Sequence, residues 1–260
     1  MITSSQNSKI KLARALAGKP KERREAGAFL AEGVRLLEEA YAANVEIRFA
    51  LYTDELSERG SGLLKKLEGR GVELEKVQDE LLDSLSDTET SQGILAVVND
   101  LQLVIPPSPN FVLIADQIRD PGNLGTLLRS ADAAGVQAVL LPPETTDAFA
   151  PKAVRSGMGA QFRLPIRSVR WDEIQALTGG LQVFLADMEG VSCWETDLRQ
   201  PLVLIIGGEA EGASEQAVEL ANQKVKIPMS GKTESLNAAV AGSVLMFEVV
   251  RQRANLHLLK

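Results

Sequence analysis

The sequence predicts an α/β protein of two domains, and three observations carry that expectation. After residue 110, apolar runs alternate with helical patterns; the runs are FVLIA, VQAVLL, LQVFLA, LVLIIGG and VKIP. Near-continuous apolar strands with helices between them predict a parallel sheet covered on both faces. Before residue 100, shorter helical and extended pieces alternate within an ordinary domain length. Between the two, Pro106, Pro107 and Pro109 stand in NDLQLVIPPSPN, and prolines so dense deny both helix and central strand. The expected division is residues 1–99, a linker over 100–109, and residues 110–260.

Taken in order, the chain opens with Lys9, Lys11 and Arg14 beside Ser4, Ser5, Gln6 and Asn7, although its net charge is −7. Lys19, Lys21, Arg23 and Arg24 follow, against only Glu22 and Glu25. The pattern reads as an arm contacting phosphates or as a solvated first helix. GVRLLEEAYAAN then has helical spacing, VEIRFALYT reads as a strand, and GLLKKLEGRG as a helix closing on glycine. VELEKV is an expected edge strand, DELLDSLSD a short helix and GILAVVN a strand.

Parallel sheets bind ligands beyond the carboxyl ends of their strands, which directs attention to the loops after Ala115, Ala186, Ile206 and Ile227. In DQIRDPGNLGTLLRSADAAG, Asp120, Pro121 and Gly122 form a turn, Asn123 is the expected N-cap, and a helix from Leu124 puts Arg129 on its second turn. LIIGGEAEGAS ends a strand on Gly207 and Gly208 and places Glu209 at its tip. Such a glycine pair lets a ligand approach the backbone; a plain turn is the alternative. From Ser230 to Asn237 the chain holds more hydrogen-bonding capacity than one helix cap uses. Ala238, Ala239, Ala241, Gly242 and Ser243 follow as small residues that admit another backbone, then Val244, Leu245, Met246 and Phe247 as core bulk.

Composition excludes several chemistries. One cysteine, Cys193, leaves no internal disulfide or cysteine-cluster metal site, and one histidine, His257, leaves no histidine zinc site or Ser/His/Asp triad. His257 is expected to be a solvent-facing tail residue. Gly231-Lys232-Thr233 copies the end of a phosphate-binding loop, but Lys226 stands where its first glycine belongs. Gly157-Met158-Gly159 has Phe162 at the third glycine position, so a dinucleotide fingerprint is absent. No apolar run approaches membrane-spanning length and no secretory leader opens the chain, so a soluble, cytoplasmic protein is expected.

N-L-G-T-L-L-R-S-A-D-A-A-G, G-G-E-A-E-G-A-S and I-P-M-S-G-K-T-E-S-L-N-A-A-V-A, in that order at strand ends, resemble motifs 1, 2 and 3 of the SpoU (TrmH-like) family of RNA ribose 2′-O-methyltransferases. The opening ITSSQNSKIKLARAL and AFLAEGVRLLEEA resemble the L30e-like substrate-binding domain that precedes the catalytic domain in ribosomal RNA members. The resemblance implies a SPOUT fold, a parallel-sheet domain with a C-terminal trefoil knot, one of the few exceptions to the rule against knots. It further implies S-adenosyl-L-methionine (S-adenosylmethionine) as cofactor, an RNA partner, a homodimer with sites at its interface, and no metal. By motif position Asn123, Arg129, Glu209, Ser235 and Asn237 match the family's active-site residues, and Leu185, Ala186, Gly207, Ile227, Met229 and Leu236 its cofactor loops. Lys9, Lys11 and Arg14 would contact RNA. The implied substrate is large-subunit (23S) ribosomal RNA, the alternatives being transfer RNA or a non-catalytic RNA-binding factor.

These residue types suit the chemistry. A sulfonium methyl is already activated, so the protein needs only to align a 2′-hydroxyl and manage its proton. An arginine with a pKa above about 12 is a poor base, whereas stabilising an alkoxide or holding a phosphate requires no unusual pKa. Asn123 and Asn237 are expected to orient Arg129 and the ribose, Glu209 to fix the arginine or a cofactor hydroxyl, and Ser235 to cap the final helix. Gly208, Ala210 and Ala213 depart from the family's motif 2.

Overall fold

The computed structural model describes residues 1–86, 91–209, 212–233 and 235–254. His257, Ala210 and Glu234, which entered the expectations above, lie outside the described residues. The chain forms two compact units: Met1–Gln102 with Asp147–Arg163, and Leu103–Thr146 with Leu164–Lys260.

The first unit runs α1 (Ser8–Gly18), α2 (Pro20–Ala26), β1 (Ala28–Glu32), α3 (Val34–Ala42), β2 (Ile47–Tyr52), α4 (Glu58–Gly69), β3 (Glu73–Lys76), α5 (Asp79–Asp83) and β4 (Ile94–Asn99). Its sheet has the order β1-β4-β2-β3, with β2 and β3 parallel and the other pairs antiparallel. Both faces are covered, and strand alternation assigns the side chains. Ile94, Ala96 and Val98 of β4 join Leu37 of α3 and Leu67 of α4 on one face. Leu95 and Val97 join Ile10, Ala13 and Leu16 of α1 on the other. β1 and α2 were not anticipated. A strand buried along almost its whole length, as AFLAE is, shows no period to read.

The opening is a packed helix rather than an arm. Asn7 caps α1, its side chain accepting from the Lys9 N–H at 2.9 Å. The Lys9 ammonium lies 2.6 Å from Glu73 and 2.5 Å from Glu75. Burial works against its charged form, but those two carboxylates outweigh it and raise the lysine's pKa. Lys11 and Arg14 remain exposed.

The second unit begins with β5 (Phe111–Ala115), α6 (Pro121–Ala133) and β6 (Ala138–Leu141). The chain then contributes α7 (Pro151–Gly157) and a 3-10 turn, Ala160–Phe162, to the first unit. It resumes with β7 (Ile166–Ser168), α8 (Trp171–Thr178), β8 (Gln182–Ser192), β9 (Leu202–Ile206), α9 (Glu215–Leu220), β10 (Gln223–Lys226) and α10 (Ala238–Ala254). The sheet order is β10-β8-β9-β5-β6-β7, parallel throughout. The expectation of one continuous domain over 110–260 differs at the excursion. There Phe149 and Phe162 pack on Phe29, with ring centroids 4.9 and 6.0 Å away. Arg23, 5% exposed, pairs with Asp147 at 2.7 Å, Arg155 with Glu32 at 3.2 Å and Arg163 with Glu39 at 2.7 Å. An apolar helical pattern looks alike whichever core receives it.

Val112, Ile114, Val183, Leu185, Val203 and Ile205 cluster with Ile174 of α8 and Ala217 of α9. α10 packs on α6 and β9. A Cβ on Gly242 would collide with Leu127 and press on Ile206, and the hydroxyls of Ser130 and Ser243 are 2.7 Å apart. The small residues of α10 thus admit neighbouring side chains where a second backbone was expected.

Candidate active site

The loops leaving β5, β9 and β10 bring three polar side chains together. α6 starts one turn earlier than its sequence suggests, because Pro121 fits a first helical position and the Asp120 side chain accepts from the Asn123 N–H at 2.9 Å. Asn123 is therefore not the cap, and its amide is free to reach across. It donates to Glu209 Oε1 at 2.6 Å. Asn237 does the capping expected of Ser235: its Oδ1 accepts from the N–H groups of Ala239 (3.0 Å) and Val240 (3.2 Å). Its Nδ2 donates to Glu209 Oε1 at 2.5 Å and to Asn123 Oδ1 at 3.1 Å. Glu209 is thus fixed through one carboxylate oxygen, and among the described residues Oε2 carries no such bond.

Arg129 does not join this group. It is exposed, with no hydrogen bond or ion pair among the described residues. With α6 beginning at Pro121 it lies in the third helical turn, and six residues at about 100° each leave it about 120° around the helix from Asn123. The two asparagines orient Glu209 instead of Arg129.

Beside the trio opens a cleft of about 990 Å³. Ala186, Gly207, Ile227, Met229 and Leu236 of the expected cofactor residues line it, as do Glu209, Ser235 and Asn237. Leu185 does not: it is fully buried in the sheet core, because it pairs with Ile205 inside the ladder. A second cavity of about 90 Å³, lined by residues including Asn123, Arg119 and Gln117, shares Gly208 and Glu209 with the cleft. Glu209 therefore stands at the boundary of two cavities.

Two walls were not read from sequence. β8 pairs with β10 through Phe184 and Leu185, then again through Val191 and Ser192, so Ala186–Gly190 bulges out and Asp187 and Met188 line the cleft. Lys224 pairs with Asp187 at 2.8 Å, and its hydrogen bond holds that carboxyl below its usual range. The strand tip was expected at Ala186; Gly190, where a Cβ would collide with the backbone of Lys224 and Val225, is the signal that marks a bulge. The other is a wall of the smaller cavity, Gln117, which follows the buried Asp116. A Cβ on Gly208 would collide with the Gln117 carbonyl, and Gln117 itself adopts φ +53°. A Cβ on Gly207 would lie 2.8 Å from the Ala213 nitrogen, so the close approach that Gly207 permits is to the chain's own loop.

The cleft suits a nucleoside carrying an amino-acid tail: its volume is that of a small-molecule site, and it has apolar walls with a few polar groups among them. Ile227–Thr233 belong to no helix or strand, leaving backbone groups that no ladder uses. Among the described residues no cluster of acidic, cysteine or histidine side chains could hold a metal, and no helix is long and apolar enough to cross a membrane.

A parallel α/β unit with a polar trio beside a cleft of small-molecule size is the frame of a group-transfer enzyme. Residues 110–247 match the model described as SpoU rRNA Methylase family, and residues 7–96 that of the MRM3-like substrate binding domain. The chain belongs to the SpoU rRNA methylase family. It is 34% identical to 23S rRNA (guanosine(2553)-2′-O)-methyltransferase RlmP of Bacillus subtilis over 95% of this chain and 98% of that one. The solved SpoU methyltransferase AviRb from Streptomyces viridochromogenes, in complex with AdoMet, superposes with a TM-score of 0.82 at 32% identity, covering 96% of this chain and 99% of that one. The TrmH/SpoU tRNA modifying enzyme of A. aeolicus matches only 57% of this chain and 78% of its own, at 26% identity and a TM-score of 0.50.

Proposed function

We propose that this chain is an S-adenosylmethionine-dependent methyltransferase acting on a ribose 2′-hydroxyl of 23S ribosomal RNA in the cytoplasm. The observation that carries the reading is Glu209, fixed by Asn123 and Asn237 at the rim of a cleft of about 990 Å³. S-adenosylmethionine supplies an activated methyl group when bound. Ala186, Ile227, Met229 and Leu236 enclose the nucleoside, and Glu209 offers Oε2 to a hydroxyl of the nucleoside or ribose. Full-length likeness to ribosomal RNA enzymes, against 57% coverage by the tRNA modifying enzyme, favours ribosomal over transfer RNA. The assembled trio favours an enzyme over a non-catalytic RNA-binding factor.

The active form is a homodimer, with the C-terminal part threaded as the family's knot. Val240, Phe247, Met188, Val191 and Trp194 are large apolar side chains left 47% to 64% exposed in one copy, as a second copy would cover them. Arg129, which lines neither cavity of its own chain, serves the site of the second copy. There it stabilises the developing alkoxide or holds the adjacent phosphate. Mapping ribose methylation across ribosomal RNA in cells with and without the protein tests the reading. One 23S position should lose its methyl group and regain it with the wild-type chain. An unchanged ribosomal map, with a methyl group lost from transfer RNA, would select the other substrate.

A further inference from the structure

We infer that Asp116 is a positioning residue, the acceptor that closes the loop carrying Glu209 from beneath the cleft. The inference rests on the proposed reading of that cleft as the S-adenosylmethionine site. Asp116 follows β5 and is fully buried. Its N–H donates to the carbonyl of Ile206, the last residue of β9, at 2.9 Å. Its Oδ2 accepts from the N–H of Ser214, the N-cap of α9, at 2.7 Å. One residue thereby holds both ends of the chain between Ile206 and Ser214, the stretch that carries Gly207, Gly208 and Glu209.

The rest of the seat supports the same role. The Gly208 N–H donates to the Gly212 carbonyl at 3.0 Å, narrowing the loop above its closed ends. The Gln117 carbonyl, next to Asp116, occupies the space that a Gly208 side chain would need. Glu209 is the next residue. A loop pinned at both ends and seated on Gln117 has little freedom to carry Glu209 away from the two asparagine amides. Glu209 is thus held from above by Asn123 and Asn237 and from below through Asp116.

A buried carboxylate is a poor choice for stability alone. Asp116 Oδ1 has no hydrogen-bond partner among the described residues, and burial pushes the carboxyl pKa up, offset in part by hydrogen bonds from Ser214. Departures of this kind from a well-satisfied interior are characteristic of functional sites. What the geometry uses is the acceptor at Oδ2, which an asparagine oxygen can replace.

The full-length protein would carry Asp116→Ala and Asp116→Asn. S-adenosylmethionine affinity would be measured by calorimetry, and methyl transfer by single turnover on the mapped RNA at saturating cofactor. Asp116→Ala should weaken cofactor binding about tenfold and slow single turnover by a similar factor, since both ligand wall and Glu209 move. Asp116→Asn should restore both to within about threefold of wild type, while Asp116→Leu, similar in size but without an acceptor, should stay as impaired as the alanine variant. A folded Asp116→Ala variant with both quantities unchanged overturns the inference, and so does an asparagine variant as impaired as the alanine one. Should Asp116→Ala not fold, the other partner decides. Ser214 has φ −64°, which proline adopts. Ser214→Pro removes the donated N–H together with the hydroxyl, and Ser214→Ala removes the hydroxyl alone, so the difference between them isolates the N–H. Equal cofactor affinity in those two variants overturns the inference. Wild-type protein that binds no S-adenosylmethionine would instead overturn the reading of the cleft.

Discussion

In the first unit Lys9 lies between Glu73 and Glu75 and Arg23 is buried against Asp147, whereas in the second unit Glu209 is held only by amides and Arg129 by no described side chain. The first unit neutralises Lys9 and Arg23 internally, so a count of its basic residues overstates the surface it offers to phosphate. The second unit leaves a carboxylate oxygen unused beside the cleft, as a site that waits for ligands requires, and a guanidinium exposed outside the cleft's lining. Counting charges along the sequence cannot separate these cases; only the partners do.

The largest expected effect tests the unused arginine. Arg129→Ala should lower single-turnover methyl transfer at least about 100-fold, near 2.7 kcal/mol, while S-adenosylmethionine affinity stays within a few fold. Mixing Arg129→Ala subunits with Asn237→Ala subunits should then recover about a quarter of wild-type activity. Half of the randomly paired dimers are mixed, and each mixed dimer has one intact site. No recovery in subunits shown to exchange would place Arg129 in its own chain's site.

The second prediction breaks the charge network of the first unit. Arg23 is 5% exposed and its Nη1 also donates to the Leu16 carbonyl at 2.6 Å. Arg23→Ala leaves Asp147 without its partner and should cost about 3 kcal/mol in urea unfolding, with cofactor affinity unchanged. A cost under about 1 kcal/mol would make the pair equivalent to an exposed one. Because Phe149 and Phe162 belong to the core around Phe29, a fragment starting near Pro107 would carry these rings without their partner. Point substitutions separate the two units better than cutting does.

A smaller effect distinguishes free from paired cations. Replacing exposed Lys11 and Arg14 with glutamine should flatten the slope of log RNA affinity against log salt by about 1.4 to 1.8, at about 0.7 to 0.9 per phosphate contact. Lys9→Gln should leave the slope unchanged, since two carboxylates already balance that charge. Binding across a salt series decides; a slope altered by Lys9→Gln alone would restore the reading of an arm.

The smallest effect concerns pH. The Lys224 hydrogen bond depresses the Asp187 pKa from its ordinary 3.8, so the pair's contribution is complete above that value and is lost as pH falls through the lowered one. Fluorescence titration with S-adenosylmethionine should show affinity independent of this pair from about pH 5 upward. Asp187→Asn should weaken binding less than about threefold, as expected of a half-exposed ion pair. A tenfold loss would make Asp187 a direct ligand contact.

By itself the sequence determined the parallel sheet after residue 110, the strand tips at Ala115 and Ile206, and the candidates Asn123, Glu209 and Asn237. Apolar runs and glycine pairs are local patterns, and ordered motifs survive without coordinates. Tertiary structure decided that Asn237 and not Ser235 caps α10, that Asp120 and not Asn123 caps α6, and that Leu185 belongs to the core. Each of those choices turns on which side chain reaches a distant donor. Tertiary structure alone also sent Asp147–Arg163 to the first unit, carried Asp187 into the cleft wall, and set Asp116 beneath Glu209. These outcomes depend on register between strands and on contacts across long stretches of chain, which hydrophobic periodicity does not encode.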